Sequence, residues 1–203
     1  HAWEPGGNWV LHGLIHALLS DDPRNERFLE RFCLYTLPMA NKDGVARGLT
    51  QFNMLGKDLN RNWDQPADPI LAPENAALEA WLERMIRAGQ KPDLAIDLHN
   101  DQGGNLHISR PNVQLETYLA NMKRFESLLY KYTWFREGAT GGNFRNPGTL
   151  GEGWVERYGV DACILELNTN WIKGLNDVPS SQNWERMGDM LRDVFYAYFE
   201  EHN

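Results

Sequence analysis

The sequence predicts an α/β fold in three layers, α/β/α, with helices on both faces of a mixed, largely parallel central sheet. Two short predicted strands, residues 93–98 and 162–167, are mainly apolar: residues 94–98 and 162–167 each contain a single charged residue. Strands of this kind are covered on both faces, as in parallel sheets. Longer segments with apolar residues at helical spacing alternate with these runs, which is typical of α/β proteins. At 203 residues we expect a single domain, 1–203, with room for a substantial core.

The helices are predicted from their apolar period and from the signals at their ends. An N-terminal helix covers residues 9–19, where apolar residues recur every three or four positions. Asp22 followed by Pro23 starts a second helix, because an aspartate cap before a first-turn proline is a common helix start. Pro73 starts a third helix, and Gly89 ends it. Further helices are expected over 113–132 and 184–199, with a helical turn over 154–158.

Two more strands and two long connections complete the prediction. A buried strand is expected over 33–37 and a short strand over 106–108. Residues 39–73 are polar and show no clear period, and a loop of that length in a compact domain is usually functional. The segment 138–153 is rich in glycine.

Composition excludes several classes of function. The formal net charge is −8 and the pI is about 5.2, which argues against a nucleic-acid surface, since that would need a basic face. No apolar run approaches the roughly 20 residues needed to span a bilayer, so we expect no membrane segment. Cys33 and Cys163 both lie in apolar runs and are predicted to be reduced core residues, which favours a cytoplasmic location.

Three dispersed side chains predict a metal site. His1 and Glu4 are three residues apart, and His99 closes the run that precedes it. Two imidazoles and one carboxylate suit a single Zn²⁺ ion and leave a fourth position for water. Glu166 lies at the carboxyl end of the other buried run, next to its last residue. The carboxyl ends of parallel strands share one edge of a sheet, where ligands bind. Glu166 is therefore the candidate base for that water, the alternative being a strand-edge glutamate paired with an arginine.

A second cluster follows at Asp58-Leu59-Asn60-Arg61-Asn62-Trp63. Arg61, together with Asn60, can hold a carboxylate through charge-assisted hydrogen bonds. Asp58 can accept the distal N–H of a metal-binding histidine and so fix its ring. The alternative for this segment is an ordinary polar turn.

The order of these motifs resembles the zinc metallocarboxypeptidases, of the carboxypeptidase A-like fold, and is closest to their cytosolic carboxypeptidase-like branch. The resemblance spans residues 1 to about 170. It rests on His1-x-x-Glu4, Pro38-Met39-x-Asn41-x-Asp43-Gly44, the Asp58–Trp63 run, Asp97-Leu98-His99 and Glu166.

The resemblance implies a fold, a metal and a set of roles. The fold would be an α/β/α sandwich around a mixed eight-stranded sheet, and the first strands expected before His1 are absent, so we expect a chain truncated at its N-terminus. Zinc would be held by His1, Glu4 and His99, with Glu166 as general base and proton shuttle. The family also implies that Asn60 and Arg61 bind the terminal carboxylate of the substrate, and that Asp58 stands behind the first histidine.

Some positions depart from the family pattern. By spacing, Gln51 stands where the related branch carries an arginine that stabilises the oxyanion, and Lys42 replaces a proline. Arg47 lies nearby and is our candidate for the catalytic role of that arginine. Loss of one oxyanion donor lowers a rate by about 10²–10³. The family tyrosine that closes over the substrate has no clear counterpart.

These observations predict a zinc metallocarboxypeptidase that removes a C-terminal residue from a peptide or protein tail through a peptide or isopeptide bond. The alternatives are a zinc-dependent deacylase of N-acyl amino acids and a catalytically weak member that only binds zinc or peptide, for which Gln51 is the main support. Arg145 is a predicted substrate contact that would suit an acidic residue, whereas the nearby Glu152 would suit a basic one. The sequence sets neither the preferred residue nor the oligomeric state.

Overall fold

The central sheet of the described residues has three strands, β1 (Leu94–Asp101), β2 (Asn105–His107) and β3 (Asp161–Asn168), in the order β1–β3–β2. Strands β1 and β3 run parallel, and β2 runs antiparallel to β3. The sheet is therefore mixed, as the sequence predicts, although it has fewer strands than the eight that the family resemblance implies. The register places His99 of β1 opposite Glu166 of β3.

The computed structural model describes residues 1–113, 115–141 and 144–200, so Gly142 and Asn143 of the glycine-rich segment lie outside the described residues. Its helices are α1 (Gly6–Leu18), α2 (Pro23–Arg31), α3 (Lys42–Ala46), α4 (Pro73–Arg87), α5 (Leu115–Tyr132), α6 (Leu150–Tyr158) and α7 (Ser181–Glu200). None of these helices is both long enough and apolar enough to cross a bilayer.

Helices lie on both faces of the sheet. Leu98 faces α1, where a Cβ added to Gly7 would lie 2.8 Å from the Leu98 Cβ. Ile164 faces α6, where a Cβ added to Gly151 would lie 3.3 Å from its side chain. Leu98 is paired with Leu165, the neighbour of Ile164, and successive side chains of a strand point to opposite faces. Helices α1 and α6 therefore cover opposite faces, as predicted for a three-layer α/β/α fold.

The predicted helix ends agree with the structure at several points. The Asp22 carboxylate accepts a hydrogen bond from the Arg24 N–H at 2.9 Å and so caps α2. Pro73 occupies the first turn of α4. The structure has more helix than the prediction in two places. Helix α3 lies inside the expected loop 39–73, and α6 begins at Leu150, before the expected helical turn over 154–158.

The prediction of a strand over 33–37 is wrong. The backbone of the preceding residue, Phe32, is extended, but residues 33–37 pair with no strand among the described residues. Leu37 is 56% exposed and Cys33 is also exposed, so the prediction that Cys33 is a core residue is wrong as well. An apolar run indicates that its side chains favour burial, but a β-strand forms only where a neighbouring strand supplies hydrogen-bond partners for its backbone N–H and C=O groups. Cys163, by contrast, is buried, and both cysteines are free.

Candidate active site

His1 and Glu4 lie in the turn that leads into α1. The Glu4 N–H donates to the His1 carbonyl at 3.3 Å, which brings both side chains to one side of the chain. The Trp3 N–H donates to the Thr50 carbonyl at 3.1 Å and ties this turn to the long connection before α4. The first two predicted ligands are therefore held by local backbone geometry.

His99 reaches the same place from β1, where its side chain is only 3% exposed. The next residue, Asn100, joins the two segments: its backbone N–H donates to a Glu4 carboxylate oxygen at 2.9 Å. Its side-chain oxygen accepts from the Gly6 N–H at 2.7 Å. A Cβ on Gly6 would lie 2.5 Å from the Asn100 amide, so a larger residue at the start of α1 would displace this amide from its hydrogen bond.

The three predicted ligands converge. One ligand atom each from His1, Glu4 and His99 lies within 4.8 Å of the others. The Nδ1 atoms of both histidines lie 2.7 Å from Glu4, one at each carboxylate oxygen. The imidazole rings meet edge to face, with centroids 4.6 Å apart. Both rings therefore present the same nitrogen, Nδ1, to a common point beside a carboxylate.

An aspartate lies behind each imidazole, at the nitrogen that points away from this cluster. Asp58 Oδ1 lies 3.2 Å from Nε2 of His1. Asp97 Oδ2 lies 3.0 Å from Nε2 of His99. Gln51 in turn donates from Nε2 to Oδ2 of Asp58 at 2.6 Å. Each predicted histidine ligand is thus supported from its far side.

These contacts shift the pKa values of the cluster. Burial alone would lower the pKa of His1, but hydrogen bonds to Asp58 and Glu4 outweigh it and raise that pKa to about 9. Burial opposes ionisation of Glu4, yet hydrogen bonds from both histidines lower its pKa to about 2. The pKa of His99 is raised well above 6.5, because Asp97 and Glu4 outweigh the effect of burial. The metal-free cluster therefore holds protons that a metal ion would displace.

The donor set fits zinc. Two donors bound to one tetrahedral zinc ion at about 2.0–2.1 Å lie about 3.4 Å apart. The present Nδ1-to-carboxylate contacts of 2.7 Å need only a small widening to reach that separation. The ligands are two imidazoles and one carboxylate, and both imidazoles already have acceptors at Nε2, which is the arrangement that supports metal-binding histidines.

Glu166 lies at the paired position beside His99 on the neighbouring strand. Burial raises the pKa of its carboxyl group to about 7, and the neighbouring Glu4 adds to this rise while His99 opposes it. Its Oε2 is buried and has no hydrogen-bond partner among the described residues. A carboxylate with a free oxygen and a pKa near neutrality is suited to accept and return a proton.

Asn60 and Arg61 lie beside this cluster and differ in exposure. Asn60 is 8% exposed; its Nδ2 lies 3.2 Å from Nε2 of His99, and its Oδ1 accepts from the Leu150 N–H at 3.0 Å. The Arg61 side chain is 50% exposed and donates to the Asn60 carbonyl at 2.7 Å. Asn60 is thus engaged within the protein, whereas Arg61 remains accessible to a ligand.

Comparison with known proteins assigns the family. The sequence profile of the zinc carboxypeptidases, peptidase M14, matches residues 1–133. The chain belongs to the zinc carboxypeptidase family. Human cytosolic carboxypeptidase 4 is 31% identical over 115 residues, which are 57% of this chain and 10% of that protein.

Solved structures show that the fold is shared. A metallo-carboxypeptidase from Burkholderia cenocepacia superposes with a TM-score of 0.88 at 18% identity, covering 100% of this chain and 55% of that one. A metallo-carboxypeptidase from Pseudomonas aeruginosa, in complex with (2-guanidinoethylmercapto)succinic acid, has a TM-score of 0.79 at 24% identity, covering 98% and 56%. The chain therefore spans about a tenth of the length of the human relative and little more than half of these structures.

In this member of the zinc carboxypeptidase family, the other two predicted site residues, Arg47 and Arg145, form no ion pair with the cluster among the described residues. Arg47 follows α3, is exposed, and forms no ion pair with a described residue. Arg145 donates from Nε to Oε1 of Glu152 at 2.7 Å and from Nη1 to Asn112 at 3.1 Å. Glu152 is 1% exposed, so Arg145 and Glu152 are partners of each other and do not offer a substrate two opposite charges.

Sequence reasoning assigned no role at the site to Asp97 or Asn100. Asp97 had a usable signal, because it stands two residues before His99 and alternate residues of a strand share a face. Asn100 had none, since its position beside Glu4 depends on how α1 packs against β1. The family resemblance rests on His1-x-x-Glu4 and Asp97-Leu98-His99, but it does not indicate that Asp97 contacts the His99 ring or that Asn100 contacts Glu4.

Proposed function

We propose that this chain is the catalytic part of a zinc metallocarboxypeptidase that hydrolyses the C-terminal peptide or isopeptide bond of a peptide or protein tail. The observation that carries the proposal is the convergence of His1, Glu4 and His99 within 4.8 Å, beside a half-buried Glu166 whose Oε2 has no hydrogen-bond partner among the described residues. Membership of the zinc carboxypeptidase family supports the same reaction.

The residues of the site have distinct tasks in this proposal. His1, Glu4 and His99 would hold the zinc ion, which would act as a Lewis acid that polarises the substrate carbonyl and lowers the pKa of a bound water. Glu166 takes the proton of the attacking water and delivers it to the leaving amine. Because its pKa is about 7 in the metal-free protein, Glu166 can both accept and release a proton near neutral pH.

Arg61 is the proposed anchor for the terminal carboxylate of the substrate. Its side chain is half exposed, and its nearest acid, Asp58, is 3.9 Å away, so its guanidinium has N–H groups to offer. Asn60 and Arg145 are two further proposed contacts with the substrate. In their present positions, Asn60 is bonded to Leu150 and Arg145 to Glu152, and each would have to exchange that bond for substrate.

Arg47 is the proposed donor to the oxyanion. Its exposed side chain would have to move to reach the substrate carbonyl. One of the two N–H groups of the Gln51 amide already donates to Asp58 at 2.6 Å, so only the other N–H is left to serve as an oxyanion donor. A weak enzyme is the expected result if neither residue reaches the carbonyl, since one lost donor lowers the rate by about 10²–10³.

The test is Glu166→Gln in zinc-loaded protein, assayed on a panel of short peptides with release of the final residue as the readout. We expect hydrolysis to fall by about 10²–10⁴, because the amide cannot accept the proton of water. Glu83→Gln on the exposed surface of α4 is the matched control and is expected to retain full activity. Unchanged hydrolysis by Glu166→Gln would show that the assigned base is wrong.

The same panel separates the other two functions. N-acyl amino acids assayed beside peptides test the deacylase, which the family assignment does not favour. Bound zinc with no turnover of any peptide would instead support a member that only binds. A protein tail as partner and a cytoplasmic location remain predictions for this chain.

A further inference from the structure

We propose that Asp97 is a positioning residue for the metal site, and that it holds His99 in the same way that Asp58 holds His1. The inference rests on the proposed metal site, but it concerns a residue to which neither the sequence motifs nor the family assignment gave a role. It makes the site symmetrical, with two imidazoles, each fixed from behind by its own carboxylate.

The strand supplies the geometry. Asp97 and His99 are two residues apart on β1, so their side chains share one face, while Leu98 between them faces α1. Asp97 Oδ2 lies 3.0 Å from Nε2 of His99, and the opposite ring nitrogen lies 2.7 Å from Glu4. One imidazole thus bridges from Asp97 to the point where the three ligands meet.

Hydrogen-bond chemistry decides which neighbour can orient the ring. A histidine that binds a metal through Nδ1 carries its proton on Nε2, and that N–H needs an acceptor. Asn60 also lies at Nε2, at 3.2 Å, but it presents its amide nitrogen, which is a donor. Its oxygen is already used by the Leu150 N–H. Asp97 is therefore the acceptor placed to keep the Nε2–H form and leave the Nδ1 lone pair for the metal.

Because His99 is buried, water cannot readily replace Asp97 as the acceptor for its Nε2–H. The His99 side chain is 3% exposed and that of Asp97 is 23% exposed, so little water is available to replace the lost acceptor. A buried N–H without a partner is costly, and the ring would rotate or change tautomer to satisfy it. Either response turns Nδ1 away from Glu4 or places a proton on it.

The experiment measures zinc affinity without substrate, by competition with a chromogenic chelator, in Asp97→Ala, Asp97→Asn and the wild type. We expect about 10- to 100-fold weaker zinc binding for Asp97→Ala, the usual cost of removing such a partner. Asp97→Asn keeps an acceptor oxygen and should recover part of the loss. Asp93→Asn, just before β1, is the matched control and should bind zinc within about twofold of the wild type.

The absorption spectrum of the Co²⁺-substituted protein is the second readout, since it reports ligand geometry and a purely structural role would leave it unchanged. We expect an altered visible spectrum in Asp97→Ala and a closer match to wild type in Asp97→Asn. If Asp97→Ala does not fold, Asp97→Leu, which is similar in size to aspartate and offers no acceptor, carries the test. Zinc affinity and a Co²⁺ spectrum both equal to wild type in that variant would overturn the proposal.

The result is separable from the proposed function. If the wild type hydrolyses no peptide but Asp97→Ala loses zinc affinity, the role of Asp97 stands and the carboxypeptidase assignment fails. If the wild type hydrolyses peptides and Asp97→Ala folds and binds zinc like the wild type, the role of Asp97 fails while the enzyme assignment stands.

Discussion

Glu4 contacts both imidazoles of the cluster, and its pKa of about 2 shows how strongly the folded chain favours its ionised form. Two hydrogen bonds from histidine and one from the Asn100 N–H offset the cost of burying this carboxylate. A single residue therefore joins the N-terminal turn to β1. The ligand set is stabilised by polar contacts even without a metal.

Gln51 is the residue whose substitution in this chain most affects the expected chemistry. The family resemblance predicts an arginine at this position, by spacing, and the amide of Gln51 is bonded to Asp58. We expect Gln51→Ala to weaken zinc binding by up to about 10-fold, because Asp58 loses a donor and orients His1 less firmly. Zinc competition assays check this, with the exposed Gln90→Ala as control. An unaltered affinity would show that the Gln51–Asp58 bond does not support the metal site.

Helices α1 and α7 approach so closely that their backbones touch. A Cβ added to Gly188 of α7 would lie 1.9 Å from the Val10 carbonyl oxygen, and one added to Gly13 of α1 would lie 2.0 Å from that of Glu185. These glycines are needed because no side chain fits between the helices. The contact of α1 with α7, together with that of Gly7 with Leu98 of β1, positions the start of α1, which His1 and Glu4 precede.

We expect Gly188→Ala to lower the free energy of unfolding by about 1–3 kcal/mol, as overpacking of an interior does. The same change in an unconstrained helix interior would instead stabilise it by up to about 1 kcal/mol, because alanine has the higher helix propensity. Urea denaturation monitored by circular dichroism measures the difference. Gly103→Ala, where a Cβ meets no atom within 4 Å, is the control. A stabilised Gly188→Ala would contradict the close contact.

At the scale of the whole molecule, the metal would link two distant parts of the chain. His1 and Glu4 precede α1, whereas His99 lies in the central sheet. An ion bound to all three stabilises only the folded state, because the unfolded chain does not hold the ligands together. Stabilisation by a bound ligand is about 2.7 kcal/mol at 100 times its dissociation constant.

We therefore expect saturating zinc to raise the melting temperature and a chelator to reverse the rise, which differential scanning calorimetry measures. Ala replacement of His99 should remove the shift, whereas replacement of the exposed His16, on α1, should leave it intact. A zinc-dependent shift of equal size in the His99→Ala protein would show that zinc binds elsewhere.

The pH dependence of this stabilisation follows from the raised pKa of His1. Its folded-state value of about 9 exceeds the ordinary 6.5, so its contacts stabilise the metal-free protein fully below pH 6.5. That contribution is lost as the pH rises from 6.5 through 9. Zinc must displace the same proton, so its affinity should increase over that interval. Melting curves with and without zinc at pH 6, 7.5 and 9 check both trends; a zinc shift that is largest at pH 6 would contradict them.

Much of this site could be predicted from sequence because its parts are local. The spacing of His1 and Glu4 places both on one turn, and the apolar runs of β1 and β3 identify the strands that carry His99 and Glu166. Their order along the chain then matched one family. What failed was the strand over 33–37, because an apolar pattern carries no information about which partner will pair with it.

The amino-acid sequence by itself determined the fold class, the family and the residue types of the candidate metal site, since these depend on residue type, spacing and periodicity. Only the tertiary structure decided which neighbours surround the ligands. Asp97 was found behind His99, Asn100 against Glu4, Gln51 on Asp58, and Arg145 on Glu152. These contacts join residues across strands, helix ends and loops, and their distances depend on packing that no local pattern encodes.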